Sequence, residues 1–92
     1  MIDLTARITI PESVLFRDLD GEAVLLETVT GRYYGLDEVG TRMWSLLQRH
    51  GEVEEVCRAL LAEYEVPEER LREDFLRFVD TLAAKGLIRM VE

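Results

Sequence analysis

Cysteine and histidine occur once each in this 92-residue chain, as Cys57 and His50, and the scarcity excludes several chemistries at the outset. A lone thiol forms no internal disulfide, which agrees with a reducing compartment. A structural zinc site needs more His and Cys than the chain possesses, no calcium-loop spacing occurs, and the glycines are scattered rather than grouped as a phosphate cradle, so no metal and no cofactor are expected. A basic run is also missing. With 19 acidic against 11 basic residues and a net charge of −8, the chain lacks the clustered Lys and Arg that offset nucleic-acid phosphates. No apolar run approaches the roughly 20 residues that span a bilayer, so no membrane association is expected. The start, Met1 to Arg7, has no basic region followed by an apolar block and does not read as a secretory signal. A cytoplasmic location is the default expectation.

What is present is an ordinary globular composition, 48% hydrophobic and 33% charged. A chain this short supports one core, so residues 1–92 are expected to form a single domain with its folded part at about 11–90. Val14 to Leu19 and Ala23 to Thr28 are β-rich runs separated by Asp20-Gly21, a tight-hairpin signal. Thr30-Gly31 supplies a second turn into Arg32-Tyr33-Tyr34-Gly35-Leu36. The pattern predicts an antiparallel meander whose last strand is an edge. A further strand around Ile8 and Ile10, ended by Pro11, is compatible with the pattern.

From Asp37 the apolar period changes from two to about 3.6. Val39, Met43, Trp44, Leu46 and Leu47 share one side of a first helix, with Asp37 as its N-cap and His50-Gly51 at its end. Val53, Val56, Cys57, Leu60, Leu61 and Tyr64 define a second helix, whose glutamates at 52, 54 and 55 suit the N-terminal end of its dipole. The third starts near Pro67 and runs to Lys85 before Gly86, after which Leu87-Ile88 returns to the core. The order is three strands, then three helices, an α+β chain.

Catalytic constellations are missing. His50 lies at a helix end with no Ser, Cys or Asp partner suggested by spacing, and Cys57 lies on an apolar stripe as a buried, inert thiol. The chain is therefore not expected to be an enzyme. The third helix is apolar over more of its circumference than one-sided docking needs. Leu71, Phe78 and Leu82 form one arc, and Phe75, Leu76, Val79 and Ala83 continue it. Either both arcs are core, or one packs inward while its neighbour lines a groove. Arg72 lies in the second arc, where its guanidinium suits a carboxylate of a bound chain.

The ordered set Pro11, Val14, Arg17, Asp20-Gly21-Glu22, Val24-Leu25-Leu26, Thr30-Gly31, Tyr33-Tyr34-Gly35-Leu36, Val39-Gly40, Trp44, Leu47, Val66, Asp74, Phe78, Leu82 and Gly86-Leu87 closely resembles the PqqD-like family. These are small recognition elements for ribosomally made, post-translationally modified peptides, and the resemblance runs from about Pro11 to Ile88. It implies a winged-helix-like fold that binds the leader segment of a precursor peptide and delivers it to a separate enzyme. The leader adds as a strand to the third β-strand and lies against the third helix. Carried onto this sequence, Arg32, Tyr33, Tyr34, Gly35 and Leu36 form the pairing strand. Phe75, Leu76 and Val79 form an apolar wall, with Arg72 and Asp74 as polar contacts. On that reading a charge placed by Val79→Glu sits in the groove and leaves the fold intact.

Alternation puts Tyr34 and Leu36 on one face and Tyr33 and Gly35 on the other, so one tyrosine meets the helices and the other solvent or ligand. A free-standing element resembles those of lasso-peptide clusters, which work with a cysteine-protease-like leader peptidase. A PqqD-type peptide chaperone for a radical modifying enzyme is the alternative. An uncovered edge strand also permits a homodimer paired through the sheet. A winged-helix transcriptional regulator is a different class, and its basic recognition helix is absent: Arg70, Arg72 and Arg77 are interspersed with Glu68, Glu69, Glu73, Asp74 and Asp80.

Overall fold

The computed structural model describes residues 4–91, so the reading of the extreme N-terminus as no signal falls partly outside the described residues. The elements follow in the order β1 (Arg7–Thr9), β2 (Val14–Leu19), β3 (Glu22–Glu27), β4 (Arg32–Gly35), α1 (Glu38–His50), α2 (Val53–Glu63), α3 (Glu68–Ala84) and β5 (Arg89–Val91). This is the α+β, winged-helix-like order that the sequence predicts, with two short strands added at its ends. β2, β3 and β4 form an antiparallel sheet in that spatial order. The Asp20-Gly21 hairpin has φ of 57° and 89°, the left-handed pair that a two-residue turn between twisted strands requires.

β1 is the N-terminal strand suggested by Ile8, and it pairs antiparallel with β5, Ile8 opposite Met90. β5 is not anticipated by the sequence. Its three residues are all exposed, so no alternation marks it, and its pairing joins opposite ends of the chain. β1 also anchors the α1–α2 connection, since the Ile8 N–H donates to the Gly51 carbonyl at 2.7 Å and the Val53 N–H to the Ala6 carbonyl at 3.1 Å.

The strand-to-helix junction is held by side chains. Asp37 caps α1, its Oδ1 accepting from the Gly40 N–H at 2.7 Å. Gly40 allows the chain to pass close: a Cβ there would stand 3.2 Å from Asp37 Oδ1 and 3.5 Å from the Leu36 Cβ. At the other end, Gly51 has φ of 70° and its N–H donates to the Leu47 carbonyl, the left-handed termination expected of His50-Gly51.

One core joins the inner sheet face to all three helices. Leu25, Trp44, Leu47, Val53, Val56 and Leu60 have at most 1% exposure, and Leu87 and Ile88 close it from the C-terminal side as expected. Val39 departs from the expected inward stripe and is 44% exposed. It occupies the first turn of α1, at the periphery of the core. Phe75 and Val79 are fully buried, 0% exposed each. The expectation that a charge at residue 79 leaves the fold intact is thereby overturned, because the side chain points into the core.

Two stability outcomes follow from this packing. Val79→Glu buries a carboxylate without a partner and is expected to cost about 3–5 kcal/mol in urea denaturation, enough to unfold much of the protein. Asp37→Ala removes the α1 cap and is expected to cost about 1 kcal/mol with an unchanged denaturant slope; a loss below a few tenths would show that the cap is dispensable.

Candidate peptide-binding edge

β4 is bonded on one side only. Its partner is β3, with Tyr34 opposite Leu25, Tyr33 opposite Leu26 and Arg32 opposite Glu27. The Leu36 N–H donates to the Ala23 carbonyl at 2.8 Å, and in an antiparallel ladder bonding alternates residue by residue. Arg32, Tyr34 and Leu36 therefore turn their backbone groups toward β3, whereas Tyr33 and Gly35 turn theirs outward. The outward N–H and C=O groups of Tyr33 and Gly35 are what an added strand would bond. Gly35 has nothing within 4 Å of where a Cβ would be, so the backbone is open to close approach.

Two buried polar residues hold this edge in place. The Thr41 hydroxyl accepts from the Ala23 N–H at 2.8 Å and donates to the Leu36 carbonyl at 3.4 Å, tying the end of the β3–β4 ladder to α1. At the opposite end the Glu27 carboxylate accepts from the Ser13 hydroxyl at 3.0 Å and the Val29 N–H at 2.6 Å, which shapes the loop leading into β4. Neither residue stood out in the sequence. Their roles depend on contacts 14 and 18 residues away.

The tyrosines divide as alternation predicts. Tyr34 shares the helix-facing side with Leu25 and is partly buried, while Tyr33 is 69% exposed on the outer face with Leu15 and Leu26. The Lys85 ammonium stands 4.9 Å from the centre of the Tyr34 ring, a cation–π contact between the end of α3 and the edge strand. Thr30, Arg32, Tyr33 and Tyr34 on one side, with Ala84 and Lys85 on the other, line a depression of about 400 Å³.

Lys85 identifies which flank of α3 faces β4. At 100° per residue, Asp74, Phe78, Thr81 and Lys85 share a flank, at spacings of four, three and four. Phe75 and Val79 lie between that flank and the opposite one and are core. Arg72 lies on the opposite flank, lining a shallow depression with Cys57 and Leu61 of α2, and it donates to Glu68 at 2.6 Å. Leu76, four residues on, belongs to the same side. Of the residues expected to form the binding surface, the structure thus brings together Arg32, Tyr33, Tyr34, Gly35 and Leu36 on the edge strand and places Asp74 on the facing flank. Phe75 and Val79 have no accessible surface, Arg72 lines the depression with α2, and Leu76 shares the Arg72 flank. At the end of α3, Ala84 and Lys85 border the depression instead, and the partly buried Phe78 shares the Lys85 flank, one step around the helix from the apolar arc.

The arginines of α3 are committed to neighbouring acids: Arg70 to Asp74 at 4.0 Å, Arg72 to Glu68 at 2.6 Å and Arg77 to Glu73 at 3.1 Å. Such pairs leave little free positive charge for a phosphate backbone. Cys57 is buried, and burial pushes its thiol pKa up, away from nucleophilic thiolate character. Among the described residues no group of three or more His, Cys, Asp or Glu is placed to hold a metal ion, and no helix is long and apolar enough to cross a membrane.

Two solved structures and one family model resemble this chain. A solved structure of TbiB1 in complex with the TbiA(beta) leader peptide is 41% identical, covers 88% of this chain and 94% of its own, and superposes with a TM-score of 0.84. The fold is shared with lasso peptide synthetase B1 complexed with the leader peptide, at 23% identity, 91% and 99% coverage and a TM-score of 0.81. No curated protein matches the chain significantly. The family model for coenzyme PQQ synthesis protein D (PqqD) matches residues 22–88, a span from the start of β3 to the residue before β5, and the chain belongs to the PqqD family.

Proposed function

We propose that this protein binds the leader segment of a ribosomally made precursor peptide as a fourth strand of its sheet, along β4 and under α3, and delivers it to a separate enzyme without catalysing a step itself. The observation that carries this reading is the open edge of β4 beside the depression shared with α3. Backbone groups of Tyr33 and Gly35 supply affinity, and the flank carrying Phe78 and Lys85 supplies side-chain selectivity. A relative 41% identical and complexed with a leader peptide supports it.

The setting we assign is lasso-peptide biosynthesis, in keeping with the fold shared with lasso peptide synthetase B1, and the receiving enzyme is a cysteine-protease-like leader peptidase. The family description also supports a PqqD-type peptide chaperone for a radical enzyme. Which of the two operates is decided by which enzyme accepts the peptide from the complex. We assign this work to the cytoplasm, a reducing compartment that suits the lone free thiol of Cys57. Without leader, the same edge is free to pair between two copies, in competition with the peptide.

Titration of fluorescently labelled TbiA(beta) leader peptide, followed by anisotropy, is expected to saturate with sub-micromolar to micromolar affinity, about 8–10 kcal/mol. Absence of saturable binding to demonstrably folded protein would remove the leader-binding reading. The mode of binding has its own test in Tyr33→Pro. Proline removes an outward N–H while sparing the β3 ladder, and such positions on edge strands tolerate it. Binding is expected to fall by at least about tenfold with the circular dichroism spectrum unchanged; unaltered affinity would mean that the peptide does not pair with β4.

A further inference from the structure

Strand addition through backbone alone is ambiguous in register. A slip of two residues restores both the outward hydrogen bonds and the facing of every side chain, so something other than the ladder must select one alignment. β4 offers only Tyr33 and Gly35 as outward-bonding residues, which makes the ladder short and the ambiguity acute. The selecting feature has to lie at a definite point along the groove.

Charge distribution identifies such a point. The chain carries −8, and Arg7, Arg42, Arg58, Arg70, Arg72 and Arg77 are all in ion pairs with its abundant acids. Arg17, Arg32, Arg49, Arg89 and Lys85, the chain's only lysine, have no ion pair among the described residues, and of these Arg32 and Lys85 line one depression together. A lysine at a helix C-terminus is favourable on dipole grounds alone. That does not account for Arg32 beside it, where like charges repel and where the cross-strand acid, Glu27, is buried and engaged by the Ser13 hydroxyl and the Val29 N–H rather than by Arg32. Both cations stand over the helix-facing side of the sheet: Arg32 has the parity of Tyr34, and Lys85 stands over the Tyr34 ring. Asp74, on the same flank of α3, is engaged by Arg70 at 4.0 Å and Arg77 at 3.7 Å, so the unmatched charge in the groove is positive and lies at one end.

We infer that this basic end is the register lock: it receives an aspartate or glutamate side chain of the bound leader, on the helix-facing side opposite Arg32 and Tyr34. The next helix-facing side chain, two residues along the leader, meets the flank carrying Phe78 and is apolar. The ligand class is thus an extended peptide with an acidic residue and an apolar residue separated by one position. This rests on the leader-binding reading and specifies which peptides satisfy it.

The experiment uses the TbiA(beta) leader peptide and a set of variants in which each residue in turn is replaced by Glu or by Lys, titrated against the wild-type chain and the double variant Arg32→Glu, Lys85→Glu. Both protein positions are exposed, so circular dichroism is expected to show an intact fold. At one peptide position the Glu form is expected to bind about fivefold or more tightly than the Lys form, the preference is expected to weaken with added salt, and it is expected to invert in the double variant. Binding with no position-specific charge preference, or a preference unchanged in the double variant, overturns the register lock and leaves leader binding standing. No saturable binding by any peptide of the set overturns both.

Discussion

Everything proposed for this protein depends on β4 being paired on one side only. A strand with an unbonded edge invites aggregation as well as recognition, and the surrounding structure limits the first while preserving the second. The strand is four residues long, its outward groups reduce to those of Tyr33 and Gly35, and α3 borders the depression beside it. Its ends are held by Thr41 and Glu27, two buried polar side chains whose hydrogen bonds are made to backbone or to Ser13. The rest of the chain acts as a frame: β1 and β5 join the termini, and the three helices press one core against the inner sheet face.

That frame separates two functions of α3 that a helical wheel runs together. Leu71, Phe75, Val79 and Leu82 are core, and their burial fixes how the helix is rotated about its own axis. Lys85, on the flank of Phe78 and Thr81, stands beside β4, and Arg72, on the other flank, lines a depression with α2. A peptide bound along β4 would contact the core residues only indirectly. Selectivity then belongs to the partly exposed positions, and substitutions in the buried row act on stability.

Much of the fold was legible in local signals. Asp20-Gly21, Asp37 and Gly51 each act where the sequence placed them, because a left-handed turn, an N-cap and a helix terminus are satisfied by atoms within a few residues. The edge strand was legible too, since a meander leaves its last strand unpaired. Long-range features were not. β5 has no periodicity of its own, Thr41 and Glu27 look like ordinary helix and strand residues, and Lys85 reads as a helix-end cation until Tyr34 is found beneath it.

By itself the sequence determined the order of the three strands and three helices, that the last strand of the meander is an edge, and that its two tyrosines face opposite ways, because periods of 2 and 3.6 and short-range turn chemistry are encoded between near neighbours; that Tyr34 is the one facing the helices came from the tertiary structure. The tertiary structure alone decided which flank of α3 meets that strand. The apolar arc of α3 is about as wide as two contacts, and only the angle at which the helix crosses the core determines whether Val79 or Lys85 stands beside Tyr34.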